Sequence, residues 1–283
     1  MVTHHVGNQL PAGSAGDRLT KLLDSIPFNE ISRLEVNHKQ LRLLRHLPAA
    51  EGFKICHISD LHFTGQLNID HYQFVVDRVL EFEADLIAIT GDIIDYARCL
   101  PWLEPVLGRL QARYGCLFLL GNHDRRLSDV DEPARILSQL GHVDTGKRDV
   151  LIHTPTMRIS VSGNERPWLE RHDCAGQSNL AGVSQDTTRA FPELRLGLSH
   201  SPDQLPWARG LALDLLLAGH THGGQVRFPL IGPIVAPSRY GSRFASGVFA
   251  RAPTLMHVSR GIAGTHPLRW RCLPEVSLLT LHS

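Results

Sequence analysis

Five short blocks of this 283-residue sequence carry side chains that hold divalent metal ions: Asp60-Leu61-His62, Gly91-Asp92-Ile93-Ile94-Asp95, Gly121-Asn122-His123-Asp124, Ser199-His200 and Gly219-His220-Thr221-His222. Among 17 histidines, one D-x-H or H-x-H pair alone would be a weak signal. Together the blocks offer Asp60, His62, Asp92, Asn122, His200, His220 and His222, a set that would be used in full by two divalent ions about 3.5–4 Å apart bridged by one carboxylate. Asp92, central in the series, is the natural bridge. Asp60, His62 and His222 then complete one ion, and Asn122, His200 and His220 the other. Mixed imidazole, carboxylate and amide ligands suit Mn(II) first, with Fe or Zn as alternatives, better than Ca or Mg.

Such a pair of ions supports in-line displacement at phosphorus, with hydroxide available at neutral pH and the equatorial oxygens neutralised. The departing oxygen still needs a proton. His123 follows the ligand Asn122 and is free to face the substrate as general acid. Asp95, three residues past the bridge, can orient that imidazole through its second nitrogen. Arg125, Arg126 and Arg260 are candidate phosphate binders, with Arg269 a comparable case, although charged loop residues are often only solvated.

The elements that must position these groups are legible in the same stretches. Apolar runs at residues 54–58, 85–90, 116–120, 194–198 and 215–218 each stop at a block, as buried parallel strands do when their carboxyl ends open onto a site. Asp60, Asp92 and Asn122 are separated by 32 and then 30 positions, about one βαβ step. Between the blocks, Asn68 or Asp70 caps a helix carrying Phe74, Val75, Val79, Leu80 and Phe82, Pro101 to Ala112 is amphipathic, and Asp131-Glu132-Pro133 opens a helix closed by Gly141.

Beyond Gly141, short strand-like runs and strands returning at Leu194, Leu213, Leu255 and Ser277 complete a second sheet. Upstream, Arg33 to Leu47 suggests a hairpin around Asn37-His38-Lys39-Gln40 at a sheet edge. Asn164 to Pro192 is irregular and is expected to pass over the mouth of the site, with Trp168 as a packed loop tryptophan or a substrate wall. Val226 to Val235 reads as a hairpin turning at Ile231-Gly232-Pro233, and its apolar side chains could also meet an acyl chain or a membrane. Residues 1–30 are expected to be a flexible segment, apart from a short helix over Asp17 to Leu23, and residues 31–283 a single domain.

Composition narrows the classes. A hydrophobic share of 42% with 20% charged residues is that of an ordinary globular chain, and a formal net charge of +1 argues against a nucleic-acid partner. Five scattered cysteines form no C-x-x-C pair and suggest buried thiols rather than a disulfide framework. The amino terminus lacks a signal-peptide pattern and no run is long enough to span a bilayer, so a cytoplasmic protein is expected, with peripheral contact at the inner face of a membrane left open. No obligate protein partner is implied.

The blocks resemble those of the calcineurin-like metallophosphoesterase superfamily, D-x-H, G-D-x-x-D, G-N-H-D/E, an isolated histidine and G-H-x-H, in number and order. The resemblance implies an α/β fold, a four-layer sandwich of two mixed β-sheets flanked by α-helices, and the same roles for Asp60, His62, Asp92, Asp95, Asn122, His123, His200, His220 and His222. Ile58-Ser59-Asp60-Leu61-His62, Ser199-His200-Ser201-Pro202-Asp203, Gly219 to Gln225 and Val258-Ser259-Arg260-Gly261 are similar to the branch of YkuE- and YaeI-type bacterial phosphodiesterases. That branch includes pyrophosphatases that cleave UDP-diacylglucosamine, which implies a small-molecule or lipid-linked phosphoester substrate. The alternatives are a phosphomonoesterase or protein phosphatase, disfavoured by Tyr96 where those enzymes place an arginine, and a non-catalytic scaffold, disfavoured by the complete ligand set.

Overall fold

The computed structural model describes residues 3–9, 15–170, 178–180 and 191–283. In chain order the strands are β1 Thr3–Gln9, β2 Arg33–Arg42, β3 Lys54–Ile58, β4 Leu86–Thr90, β5 Cys116–Leu119, β6 Val143–Asp144, β7 Val150–His153, β8 Arg158–Asn164, β9 Ser178–Leu180, β10 Glu193–Ser199, β11 Leu215–Ala218, β12 Arg227–Phe228, β13 Gly232–Pro233, β14 Gly247–Arg251, β15 Thr254–Val258 and β16 Glu275–His282. The α-helices are α1 Arg18–Asp24, α2 Ile69–Leu80, α3 Leu103–Leu107, α4 Glu132–Gln139 and α5 Leu205–Gly210.

Two mixed seven-stranded sheets form, in the orders β1-β2-β16-β3-β4-β5-β6 and β14-β15-β11-β10-β8-β7-β9. The period-2 alternation of side chains decides what each face meets. In β4, Leu86 and Ala88 enter the core shared with Leu196, Leu215 and Leu217 of the other sheet, whereas Ile87 and Ile89 pack with Val75, Val79 and Leu103 of α2 and α3. In β11, Leu216 and Ala218 turn the other way, onto Leu205 and Ala208 at α5. The result is four layers, helix–sheet–sheet–helix, with apolar residues on both faces of the central strands.

Local signals account for the helices that flank the site. Asn68 caps α2 by accepting from the His71 N–H, and Gly141 takes the left-handed conformation after α4 (φ +89°). Pro101 to Ala112, read as one amphipathic segment, divides into a 3-10 stretch at Ala97–Trp102 and the short α3.

Four expectations change. Arg33 to Leu47 is not a hairpin: β2 runs unbroken for ten residues between β1 and β16. β16 belongs to the first sheet, parallel to β2 and antiparallel to β3, and not to the second. The turn between β12 and β13 falls at Pro229 to Ile231, with Gly232 and Pro233 already in the strand. β1 falls within residues 1–30, where a flexible segment was expected, whereas α1, capped by Asp17, is the short helix expected there. Of the irregular stretch from Asn164 to Pro192, residues 171–177 and 181–190 lie outside the described residues, as does Cys174. No helix among the described residues is long and apolar enough to cross a membrane.

Candidate metal centre

Five strands, β3, β4 and β5 of the first sheet and β10 and β11 of the second, deliver the motif loops to one place. Asp60, His62, Asp92, His220 and His222 all have positive φ, between +46° and +69°. That left-handed region is uncommon outside glycine, and a chain that holds five non-glycine residues there does so against local preference. Close loop packing also explains two glycines. A Cβ on Gly91, itself at φ +83°, would lie 2.7 Å from His200 Nδ1, and one on Gly219 would collide with Ser59 and Asp60.

The side chains fall into two groups that meet at Asp92: Asp60, His62, Asp92 and His222, and Asp92, His200 and His220, each with ligand atoms within 4.8 Å of one another. Asn122 joins the second group, its Oδ1 3.1 Å from His200 Nε2. Hydrogen bonds behind the ligands fix which imidazole nitrogen faces inward. His200 Nδ1 donates to the Thr90 carbonyl at 2.8 Å, His222 Nδ1 to the Ala263 carbonyl at 3.1 Å and His62 Nδ1 to Asp95 Oδ2 at 2.7 Å. Each therefore turns an unprotonated Nε2 toward the centre when neutral.

Those inward atoms are acceptors facing acceptors. His62 Nε2 lies 3.3 Å from His222 Nε2, and His200 Nε2 lies 3.2 Å from both His220 Nδ1 and Asp92 Oδ2. Asp92 Oδ1 accepts from the His123 N–H at 2.8 Å, whereas Asp92 Oδ2 is buried with no hydrogen-bond partner. A buried orphan oxygen among converging lone pairs fits divalent cations and little else, because a polar group held without a partner costs free energy. The electrostatics agree. Burial and the Asp92 charge push Asp60 upward, and although burial opposes charge on His200, Asp92 and Asp60 raise it to about 9. The cluster calls for positive charge.

His123 stands beside these groups, its Nε2 4.0 Å from Asp92 Oδ2 and its Nδ1 2.5 Å from Asp95 Oδ1. Asp95 thus holds His123 with one oxygen and His62 with the other. Burial opposes its charge, but His123 and His62 hold the carboxyl down to about 2. Arg126 comes within 3.3 Å of Asp95 Oδ1, while Arg125 is exposed on the same turn. Arg260 is a correction: its guanidinium is engaged with Glu275 at 2.7 Å and with Glu35, so it is not presented to a phosphate. Arg269 is fully buried and donates to the carbonyls of Arg260, His222 and Ala263, which makes it a brace for the His222 loop. The buried His57 and His71 are each pushed down to about 3 by burial and stay neutral.

Two residues beyond the ligand and acid set also contribute: Trp168, expected in the loop over the mouth of the site, and Asp124, to which the sequence reading assigns no role. Trp168 stands against the second group, its ring centroid 5.3 Å from that of His200 and 4.7 Å from that of His220. Asp124, buried behind Asn122 and His123, accepts from the Ile93, Ile94 and Gly121 N–H groups at 3.0, 2.9 and 2.7 Å and so ties two motif loops together. Its place directly after G-N-H was the available signal. Asp124→Ala is expected to destabilise the fold by about 4 kcal/mol, because three buried donors lose their acceptor. Urea unfolding followed by circular dichroism measures this, and a loss below about 1 kcal/mol would show that the loops hold without the carboxylate.

The cleft over the cluster has a volume of about 640 Å³. Asp92, Asn122, His123, His220 and His222 form its floor, and Val226, Phe228, Ile234, Val235 and Pro237 form one wall.

Comparison with known proteins gives the same answer as the geometry. Residues 53–224 match the calcineurin-like phosphoesterase family. The chain is 31% identical to metallophosphoesterase YkuE of Bacillus subtilis over 238 residues, covering 82% of this chain and 80% of that protein. It is 30% identical to phosphodiesterase YaeI of Escherichia coli over 248 residues, covering 84% and 87%. With UDP-2,3-diacylglucosamine pyrophosphatase LpxG of Chlamydia trachomatis the identity is 24%, over 88% of this chain and 90% of that protein. A cluster that requires divalent cations, on a four-layer fold that matches the family over most of its length, makes this chain a phosphoric ester hydrolase of the calcineurin-like phosphoesterase family.

Proposed function

We propose that the chain hydrolyses a phosphodiester or pyrophosphate bond with two Mn(II) ions held by Asp60, His62, Asp92, Asn122, His200, His220 and His222. The observation that carries this reading is the cleft, in which His123 and the ligand cluster share one space with a wall of apolar side chains. A monoester presents a single substituent on a doubly charged phosphoryl group, whereas a diester or pyrophosphate needs room on both sides of phosphorus. Arg126, paired with Asp95, is exposed beside the cluster, while Arg269 is buried and committed to the His222 loop, together a modest complement for a dianion. The phosphodiesterase and the pyrophosphatase among the relatives support the same class, and the latter's substrate suggests a lipid-linked or nucleotide substrate such as UDP-diacylglucosamine.

When bound, the two ions supply Lewis acidity and a nucleophile from water at neutral pH. The protein's own part is separable. Asp95 keeps the His123 Nδ1 proton and leaves Nε2 to hand a proton to the departing oxygen. Trp168 and the apolar wall limit water around the reacting centre. Residues 31–283 act as one catalytic domain in this reading, in the cytoplasm.

The test compares bis(p-nitrophenyl) phosphate with p-nitrophenyl phosphate, using metal-stripped protein resupplied with Mn, Zn, Fe or Mg. Faster turnover of the diester with Mn is expected. A preference for the monoester would overturn the diesterase reading in favour of a phosphatase.

A further inference from the structure

The strands β12 and β13 stand apart from both large sheets as a two-stranded ribbon. Its tip is apolar and outward: Leu230 is fully exposed, Ile231 and Val235 are each 74% exposed and Ile234 is 58% exposed. Aromatic residues continue the surface. The Phe228 ring packs on Trp270 at 5.7 Å, and Trp270 meets the exposed Phe28 at 6.3 Å. Contiguous exposed apolar surface of this kind marks an interaction site.

Charge selects the occupant. From Leu215 to Pro274 the sequence has no Asp, Glu or Lys and seven arginines. Arg260 and Arg269 are engaged inside the protein, but Arg227 is half-exposed on the first strand of the ribbon, and Arg239 and Arg243 are exposed on the segment that leaves it. The Arg271 guanidinium lies over the rings of Phe28 and Trp270 at 4.2 and 5.3 Å. A convex apolar tip, an amphipathic tryptophan and arginines that outnumber the carboxylates around them, Asp203 beside Arg239 included, complement an anionic lipid surface, where apolar side chains enter the acyl region and guanidinium groups meet headgroups. A second copy would bring the same arginines face to face.

We propose that the β12–β13 ribbon, with Phe28, Trp270 and the arginines around it, docks the protein on an anionic lipid bilayer. Phe228, Ile234 and Val235 belong both to the exposed ribbon and to the wall of the cleft, so docking brings the cleft mouth to the lipid. In its bearing on substrate access the inference rests on the phosphoester reading, but the docking is measured without turnover.

The experiment is co-sedimentation of the full, metal-loaded chain with vesicles of phosphatidylcholine alone and of phosphatidylcholine mixed with phosphatidylglycerol. Binding to the mixed vesicles is expected, weaker at high salt, with L230D/I231D reducing it at least about tenfold. The same variant should hydrolyse the water-soluble bis(p-nitrophenyl) phosphate at the wild-type rate, since neither residue lines the cleft. Equal binding by the variant, or no binding of wild type to either vesicle, would overturn the proposal, as would ribbon-dependent dimers in sedimentation velocity without vesicle binding. If wild type binds vesicles yet hydrolyses no diester, the docking surface stands and the diesterase reading falls.

Discussion

Replacing Asp92 by alanine is expected to lower kcat by about 10⁴-fold or more, close to 5.5 kcal/mol of barrier, and to reduce bound metal from two equivalents to one or none. Asp92 is the single carboxylate common to both ligand groups. One oxygen is already committed to the His123 N–H, and the other, buried without a partner, faces His200 Nε2 at 3.2 Å and His62 Nε2 at 3.6 Å. Among the described residues no other side chain belongs to both groups, so alanine removes charge from both at once. Asparagine keeps the shape and discards the charge, and is expected to lose nearly as much.

Stability should fall both with and without metal. In the stripped protein Asp60 and Asp92 are two buried like charges, and burial together with Asp92 pushes Asp60 upward. Burial opposes the Asp92 charge too, but His200, His62 and His123 hold its carboxyl well below the usual carboxylate range, and Oδ1 accepts from the His123 N–H, so stripped Asp92→Ala is expected to melt below stripped wild type. Loading with metal should widen the difference, because wild type gains binding free energy that the variant lacks. Elemental analysis, kcat and melting temperature test the account together. A variant that keeps two equivalents of metal and activity within about tenfold of wild type would remove Asp92 from the bridging position.

The apolar runs and their terminal blocks disclosed the carboxyl ends that build the site because buried parallel strands are locally conspicuous. Sheet membership was less legible. β16 alternates as an edge or central strand of either sheet would, and only its pairing with β2 and β3, far apart in sequence, decides. The supposed turn at Asn37-His38-Lys39-Gln40 was misread for a related reason. Asn37 donates to Glu275, and Lys39 donates to Ser277 and stands 3.2 Å from His257 Nε2. Those polar residues are buried partners in a network, and composition alone cannot distinguish such a network from a solvated loop. Arg260 is another member: its commitment to Glu35 and Glu275 spans most of the chain, whereas its motif suggested a phosphate. Asp95 was legible as a partner for His123, but its second oxygen serves His62, a contact between loops of two different strands.

His123→Ala is expected to divide substrates by their leaving group. A p-nitrophenolate departs without a proton, so bis(p-nitrophenyl) phosphate should lose no more than about tenfold in kcat, whereas an alkyl diester such as glycerophosphoethanolamine should lose about 10²- to 10⁴-fold, the usual contribution of general acid catalysis. The variant is informative because it leaves the rest of the site in place. The Asp92 contact is made by the backbone N–H of residue 123, which alanine retains. Asp95 keeps its bond to His62 and has the Arg126 guanidinium 3.3 Å away, so its charge does not become an unpaired buried anion. Two equivalents of metal should therefore remain bound. If both substrates lost the same factor, His123 would be stabilising charge at phosphorus rather than donating a proton, because only proton donation depends on the basicity of the departing oxygen.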